Sequence, residues 1–444
     1  MRTGPTHRRV VGLTAAIGAL LLTLSACAGG QAISLEVPEQ SEAPFAPETQ
    51  IALEEAVSHA MAMSASPGAL VGVWAPWSGS WVAGLGTTTA GGESAVTPEM
   101  AFRAGNVTRP MICDVLYSLA ADGRVSLDDP VTDYAVGVPT LTDVTLVQLC
   151  NGTSGIGSYS NVLTPTWEGN PARHWNPREL VSFGLGEAQR STPGEAYKEA
   201  EAGYVLLGLA LENATRTPAA QLLDEYVFGP LALGRTELPG PAPAAPGPVA
   251  LPGFQAARGP DGGFDCAATQ EMTVRSASMG FTNSGVVTTV TDLGRYMRAL
   301  AADSLLAHRA GGNEESDAAK LAASRYANPL PVAEGVPAWF TATGGVLQAG
   351  SLIGQYGAMP GYLTAAFADP ATGLVVVAVL NNSTANPALV RDLAWQLAAI
   401  ASKAAPAAEQ TAPEFGLPWT AEQYGEEITQ LAVCQPAPEE APAG

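Results

Sequence analysis

The stretch from Phe102 to Val131 constrains the fold most. Within it Met111, Ile112, Val115, Leu116 and Leu119 recur at helical spacing, the pattern of a helix that buries an apolar face. Pro110 suits the first helical turn, where a missing N–H costs nothing, and Gly123 supplies the stop. A buried helix therefore opens directly behind the polar cluster Asn106-Val107-Thr108-Arg109.

Elsewhere the chain spells strands. Gly68–Ala75 and residues 80–87 are apolar runs joined by the turn Pro76-Trp77-Ser78-Gly79, and residues 363–368 and 374–381 flank Asp369-Pro370-Ala371-Thr372-Gly373, a segment of turn-forming residues. Helical periodicity marks residues 53–63, 203–212 and Ala388–Ala401. Thr291 reads as the N-cap of an amphipathic helix through Leu300, and a short helix is expected over 421–431. The span 302–347 has no decisive pattern. At 444 residues and 47% hydrophobic content the chain can bury the core of one large two-lobed fold.

The N-terminus reads as an export leader. Arg2, Arg8 and Arg9 precede an apolar run from Val10 to Leu24, too short for a stable membrane span. Leu24-Ser25-Ala26-Cys27 resembles a bacterial lipobox, which implies cleavage after residue 26 and a lipid on Cys27. The expected localisation is the cell membrane, with the domain lipid-anchored on its extracytoplasmic face. Residues 27–46 read as a flexible spacer and 404–444 as a Pro/Ala/Glu-rich tail, leaving 47–403 as the folded domain. Loss of the leader takes the formal charge from −21 to −24, which argues against a nucleic-acid partner. Cys113, Cys150, Cys266 and Cys434 make an even set in an exported chain, with three pairings open. Neither Cys-x-x-Cys nor a Cys/His cluster is present to hold a metal.

The opening stretch resembles the serine β-lactamase and D,D-peptidase superfamily, in particular its class C-like branch. That family writes Phe-Arg-x-Gly-Ser-x-Thr-Lys, a helix, then Gly-x-Leu-Ser-Leu-Asp-Asp-Pro-Val. This chain has Phe102-Arg103-Ala104-Gly105-Asn106-Val107-Thr108-Arg109 and, after the helix, Gly123-Arg124-Val125-Ser126-Leu127-Asp128-Asp129-Pro130-Val131. Thr153-Ser154-Gly155 follows the family's His-Thr-Ser-Gly with Gly152 at the histidine. Residues 285–296 follow its Gly-Leu-x-Ser-Thr-x-x-Asp-Leu-x-Arg-Phe. The resemblance covers residues 50–402 and implies an α+β, β-lactamase/transpeptidase-like fold: an antiparallel main sheet flanked by helices, with a second, mainly helical lobe. It also favours Cys113–Cys150, which lie on segments near the site helix in the family, with Cys266–Cys434 then pinning the tail. No cofactor is implied.

The family's chemistry uses a serine nucleophile with a lysine one turn later, a tyrosine from Tyr-x-Asn, and a Lys-Thr-Gly or His-x-Gly strand edge. Here those positions hold Asn106 and Arg109, then Glu199 and Glu201, then Gln355-Tyr356-Gly357. An amide is no alkoxide nucleophile, and an arginine stays protonated. No Ser-x-x-Lys exists anywhere, because Glu195, Asp317 and Ile400 precede the only three lysines. Tyr159-Ser160-Asn161 spells the second motif about 40 residues early and is taken as coincidence, and Ser154 as a turn residue.

The expectation is a pocket with its reactive set exchanged: no catalytic residue, and a non-catalytic binding or scaffolding role in the cell envelope, with a peptidoglycan-derived peptide or a protein as partner. Arg109 is expected to pair with Glu199 or Glu201, since a buried charge needs a partner. Whether that pair lines a ligand pocket or plugs it stays open. The rival is an active hydrolase of the family using non-standard residues; Glu199 and Glu201 are a carboxylate pair, although residues two apart seldom flank one substrate.

Overall fold

Uninterrupted apolar runs make strands buried on both faces, and eight strands form the main sheet of the computed structural model. In chain order they are β1 (Gly68–Ala75), β2 (Gly79–Gly86), β3 (Leu330–Pro331), β4 (Phe340–Thr343), β5 (Val346–Ala349), β6 (Leu352–Met359), β7 (Tyr362–Ala368) and β8 (Val375–Leu380). Their spatial order is β2-β1-β8-β7-β6-β5-β4-β3, every pairing antiparallel. Alternation along a strand sends successive side chains to opposite faces. Leu70, Trp74, Val375, Val377 and Val379 therefore enter one core, while Val71, Val73, Val376, Ala378 and Leu380 enter the other.

The structure describes residues 43–186, 191–259 and 263–435, together with Met1 and Gly4. The expected leader, the lipid-bearing Cys27 and the spacer up to residue 42 lie outside the described residues, save Met1 and Gly4. Among the described residues no helix is long and apolar enough to cross a membrane.

The first core holds α2 (Thr108–Ala121), packed among α3 (Glu201–Thr215) and α4 (Val290–Ala301). All residues from Thr108 to Leu119 are buried, so this helix is the centre of the helical lobe. The second core lies under α1 (Pro47–Ser64), α5 (Ala388–Ala401) and α6 (Ala421–Gln430). The disulfides are Cys113–Cys150 and Cys266–Cys434. The first ties α2 to the helical turn Leu146–Cys150.

Three expectations are corrected. The cap of α4 is Thr289, not Thr291: its extended backbone aims its side chain at the Asp292 N–H. The second strand starts one residue earlier than read, at Gly79. Residues 404–435, read from their composition as part of a tail, are packed on the body. Trp419, Tyr424 and Ile428 are buried in the second core. The Trp419 ring stacks 5.3 Å from that of Trp395 and its indole N–H donates to the Trp395 carbonyl at 3.0 Å. Sparse aromatics in a Pro/Ala/Glu background hid this anchor. Trp419→Ala is expected to destabilise the whole domain by about 3–5 kcal/mol, read by urea unfolding; a loss below about 0.5 kcal/mol would show the segment to be loosely attached.

Candidate functional site

Between the N-terminus of α2 and the edge of β6 lies a cavity of about 490 Å³, within the range of ligand pockets. Gly105 adopts φ +58°, a conformation that favours glycine, and a Cβ there would lie 3.9 Å from the Gly357 backbone. This turn delivers Asn106 onto β6. Asn106 Nδ2 donates to the Tyr356 carbonyl at 3.1 Å, and a Cβ at Gly357 would lie 2.5 Å from Asn106 Cγ. Gly357 is therefore the seat of the Asn106 side chain.

Arg109, one turn on, is fully buried and lies below the cavity rather than in its lining. Its Nε donates to Asn283 Oδ1 at 2.8 Å, its Nη2 lies 2.5 Å from Glu199 Oε1, and its guanidinium sits over the Tyr204 ring at 4.7 Å. Burial alone would lower its pKa, but Glu199 outweighs that and raises it above the ordinary arginine value. It is a fixed cation. For Glu199, burial acts to raise the carboxyl, and Arg109 overrides it and holds the group below the usual carboxylate range. The Glu199 side chain keeps 53% exposure toward the cavity.

Tyr197, Glu199 and Glu201 line the cavity, and Ala200 between the two glutamates has extended backbone. Tyr197 Oη donates to Glu199 Oε2 at 2.7 Å; burial, with Glu199 beside it, pushes this phenol well above its ordinary value. Glu201 does not reach Arg109. Its Oε1 accepts from Ser160 Oγ at 2.7 Å, and its Oε2 has no hydrogen-bond partner among the described residues. The expected ion pair thus forms with Glu199 alone. Gly152 explains the crowding: at φ +69° it carries no side chain, and a Cβ there would meet the Tyr197 ring at 2.6 Å.

Gln355 departs from the expected set. Strand alternation turns it away from the cavity, and its Nε2 donates to the Gly345 carbonyl at 3.1 Å while Tyr356 and Gly357 line the site. Ser160 is in contact with the site through Glu201, whereas Tyr159 points elsewhere, its Oη donating to the Met279 carbonyl. Ser154 Oγ accepts from the Ile156 N–H, a turn contact. Sequence reading missed the opposite wall. Val332, Val336, Phe340 and Leu347 come from the span without a pattern, and Arg391 comes from α5, where it pairs with Asp392. The adjacent charges Arg391 and Asp392 on the largely apolar α5 were the available signal. No group of three or more metal-ligating side chains occurs among the described residues.

Comparison with known proteins agrees with this architecture. The family model described as Beta-lactamase matches residues 53–401, and the chain belongs to that family. A D-alanyl-D-alanine-carboxypeptidase/endopeptidase, AmpH of Escherichia coli (strain K12), is 31% identical over 145 residues, which cover 30% of this chain and 36% of that protein. The chain thus matches about a third of that relative's length. A D-stereospecific amidohydrolase from Streptomyces sp. superposes with a TM-score of 0.64 at 22% identity, over 78% of this chain and 98% of its own. The octameric penicillin-binding protein homologue from Pyrococcus abyssi does so with a TM-score of 0.62 at 20% identity, over 81% and 78%. These likenesses show the fold.

The Arg109–Glu199 contact gives a prediction with a definite order. Glu199→Gln strands a fully buried guanidinium, which costs about 3–5 kcal/mol when a pair is wholly buried. Solvent at Glu199 reduces the expected loss to about 2 kcal/mol. Arg109→Met fills the volume and leaves Glu199 free to meet water, so a smaller loss is expected. Because the Glu199 pKa is lowered on folding, the pair's contribution is present above the ordinary carboxylate range. It fades as pH falls through the lowered value. Urea unfolding of both variants at neutral and acidic pH checks the order; equal losses would count against the pair.

Proposed function

We infer that this chain is a non-catalytic member of its family, held at the outer face of the cell membrane by a lipid on Cys27, and that its cavity binds a small ligand. The observation that carries the reading is the state of Arg109. The position where the family keeps a proton-accepting amine holds a buried, permanently charged guanidinium locked onto a carboxylate. Asn106 is not a nucleophile, and Tyr197 is held protonated, so no base stands beside it. An open cavity supports ligand binding over a pocket plugged by the ion pair, because Arg109 seals the floor and leaves the space above it free. Peptidoglycan-derived peptides are the ligand class suggested by the named activity of the Escherichia coli relative; a protein partner in the cell envelope is the alternative.

The second reading is a hydrolase with non-standard residues. One contact favours it: Ser160 Oγ donates to Glu201. A carboxylate by itself is a weak base toward a serine hydroxyl. Incubation of the purified protein with a fluorophosphonate and with a β-lactam separates the readings. Intact-mass measurement is expected to give no adduct; a stoichiometric adduct on any serine sinks the non-catalytic reading.

The anchor has its own check. Cys27→Ser is expected to abolish incorporation of labelled palmitate and to release the protein from the membrane fraction. Retention of label in the variant would place any lipid elsewhere.

A further inference from the structure

The two disulfides sit in opposite surroundings. Cys113 and Cys150 are fully buried in the first core, where no thiol from solvent reaches the sulfurs while the domain stays folded. Cys266 is exposed and Cys434 half-buried, and both line a surface cleft of about 320 Å³ together with Pro67, Phe254 and Asn382. The elements joined by this second bridge are peripheral. Cys266 lies on the strand Phe264–Glu271, exposed along its length save for the half-buried Phe264 and Ala268. Its one ladder partner among the described residues is Phe254–Arg258. Cys434 follows Ile428, the last buried side chain of its segment. Beyond Ile428 the hydrogen bonds to α1 start from Thr429, Val433 and Gln435, all exposed or half-buried. Cys434 itself adopts φ +54°, a left-handed conformation that is costly for a residue with a side chain.

We propose that Cys266–Cys434 is a thiol–disulfide exchange site, opened by a dithiol at the Cys266 sulfur, and that its opening frees residues 429–435 from α1 while Cys113–Cys150 stays closed. A thiolate of the dithiol attacks Cys266 Sγ, the protein S–S bond breaks, and Cys434 leaves as a thiolate that takes up a proton. The second thiol of the reductant, as thiolate, then attacks the reductant's own sulfur in the mixed disulfide. This closes the reductant's internal disulfide and releases Cys266, which takes up the second proton. Two electrons have passed from the dithiol to the cysteine pair. Opening is local because little apolar surface separates the closed form from the open one. Trp419, Tyr424 and Ile428 keep their places in the second core and hold the earlier part of the segment on the body. Freed of its partner, Cys434 can leave the left-handed region, so opening also relieves a backbone cost. No residue of the cavity beside Asn106 lines this cleft, and the inference stands apart from the reading of that cavity.

The test treats the purified, folded protein with dithiothreitol at neutral pH without denaturant, blocks free thiols with iodoacetamide, and maps the label by peptide mass. Cys266 and Cys434 are expected to be labelled together, with Cys113 and Cys150 unlabelled until the domain is unfolded. Hydrogen exchange on the reduced and blocked sample is expected to speed up about tenfold or more over residues 431–435 and to stay unchanged over 421–428. No label on Cys266 and Cys434, or label on Cys113 and Cys150 at a comparable rate, overturns the exchange site. Unchanged exchange over 431–435 after reduction, or faster exchange throughout 404–435, overturns the local release. The double variant Cys266→Ser/Cys434→Ser is expected to show the fast exchange over 431–435 without reductant and no further change with it; slow exchange there would equally overturn the release. If that variant does not fold, the reduction of the unaltered protein decides.

Discussion

A guanidinium with no access to water sets the terms for everything around it. Arg109 stands in the first turn of α2, in the middle of the larger core, where an unpaired charge is not sustainable. Its surroundings answer that demand one group at a time. Asn283 accepts from Nε, Glu199 neutralises the far end, and Tyr204 lies beneath the plane. Glu199 is in turn fixed by Tyr197, whose ring has room because residue 152 is glycine. Arg109, Glu199, Tyr197 and Gly152 are therefore one interlocked set. A side chain at residue 152 would meet the Tyr197 ring, and an uncharged side chain at residue 199 would strand the Arg109 guanidinium.

This interlock also explains why the cavity stays open. A salt bridge between Arg109 and a residue on the far wall would have crossed the space. Glu199 instead comes from the strand-like run that enters α3, on the same side as α2, so the pair closes the floor. The room above is kept by Gly357, against which the Asn106 amide lies flat. Asn106 lines the cavity with its amide held against β6.

Much of this was legible in the amino-acid order. The strands read well because β1, β7 and β8 are buried on both faces and so carry unbroken apolar runs. The bounds of α5 at Ala388–Ala401 were readable for the same reason. The exchanged positions were readable because motif frames survive substitution of their reactive members. What escaped is what depends on distance. Glu199 and Glu201 are chemically alike and two residues apart, and only the curvature of the chain into α3 decides which one meets Arg109. Gln355 was assigned to the cavity by motif position, yet strand alternation sends it to Gly345. The apolar wall was invisible because short strands and a Pro/Gly-rich loop between 330 and 347 carry no periodicity to detect.

The two glutamates differ in what surrounds them. A carboxylate introduced opposite an arginine is consumed by it, and its charge has no reach beyond the pair. A second carboxylate has no such sink. Glu201 sits in the first turn of α3, where the helix dipole favours a negative charge, and that partial compensation lets it persist without a cation of its own. Glu199 and Glu201 therefore meet a ligand differently: the first as a carboxylate already paired with Arg109, the second as one held by a serine hydroxyl.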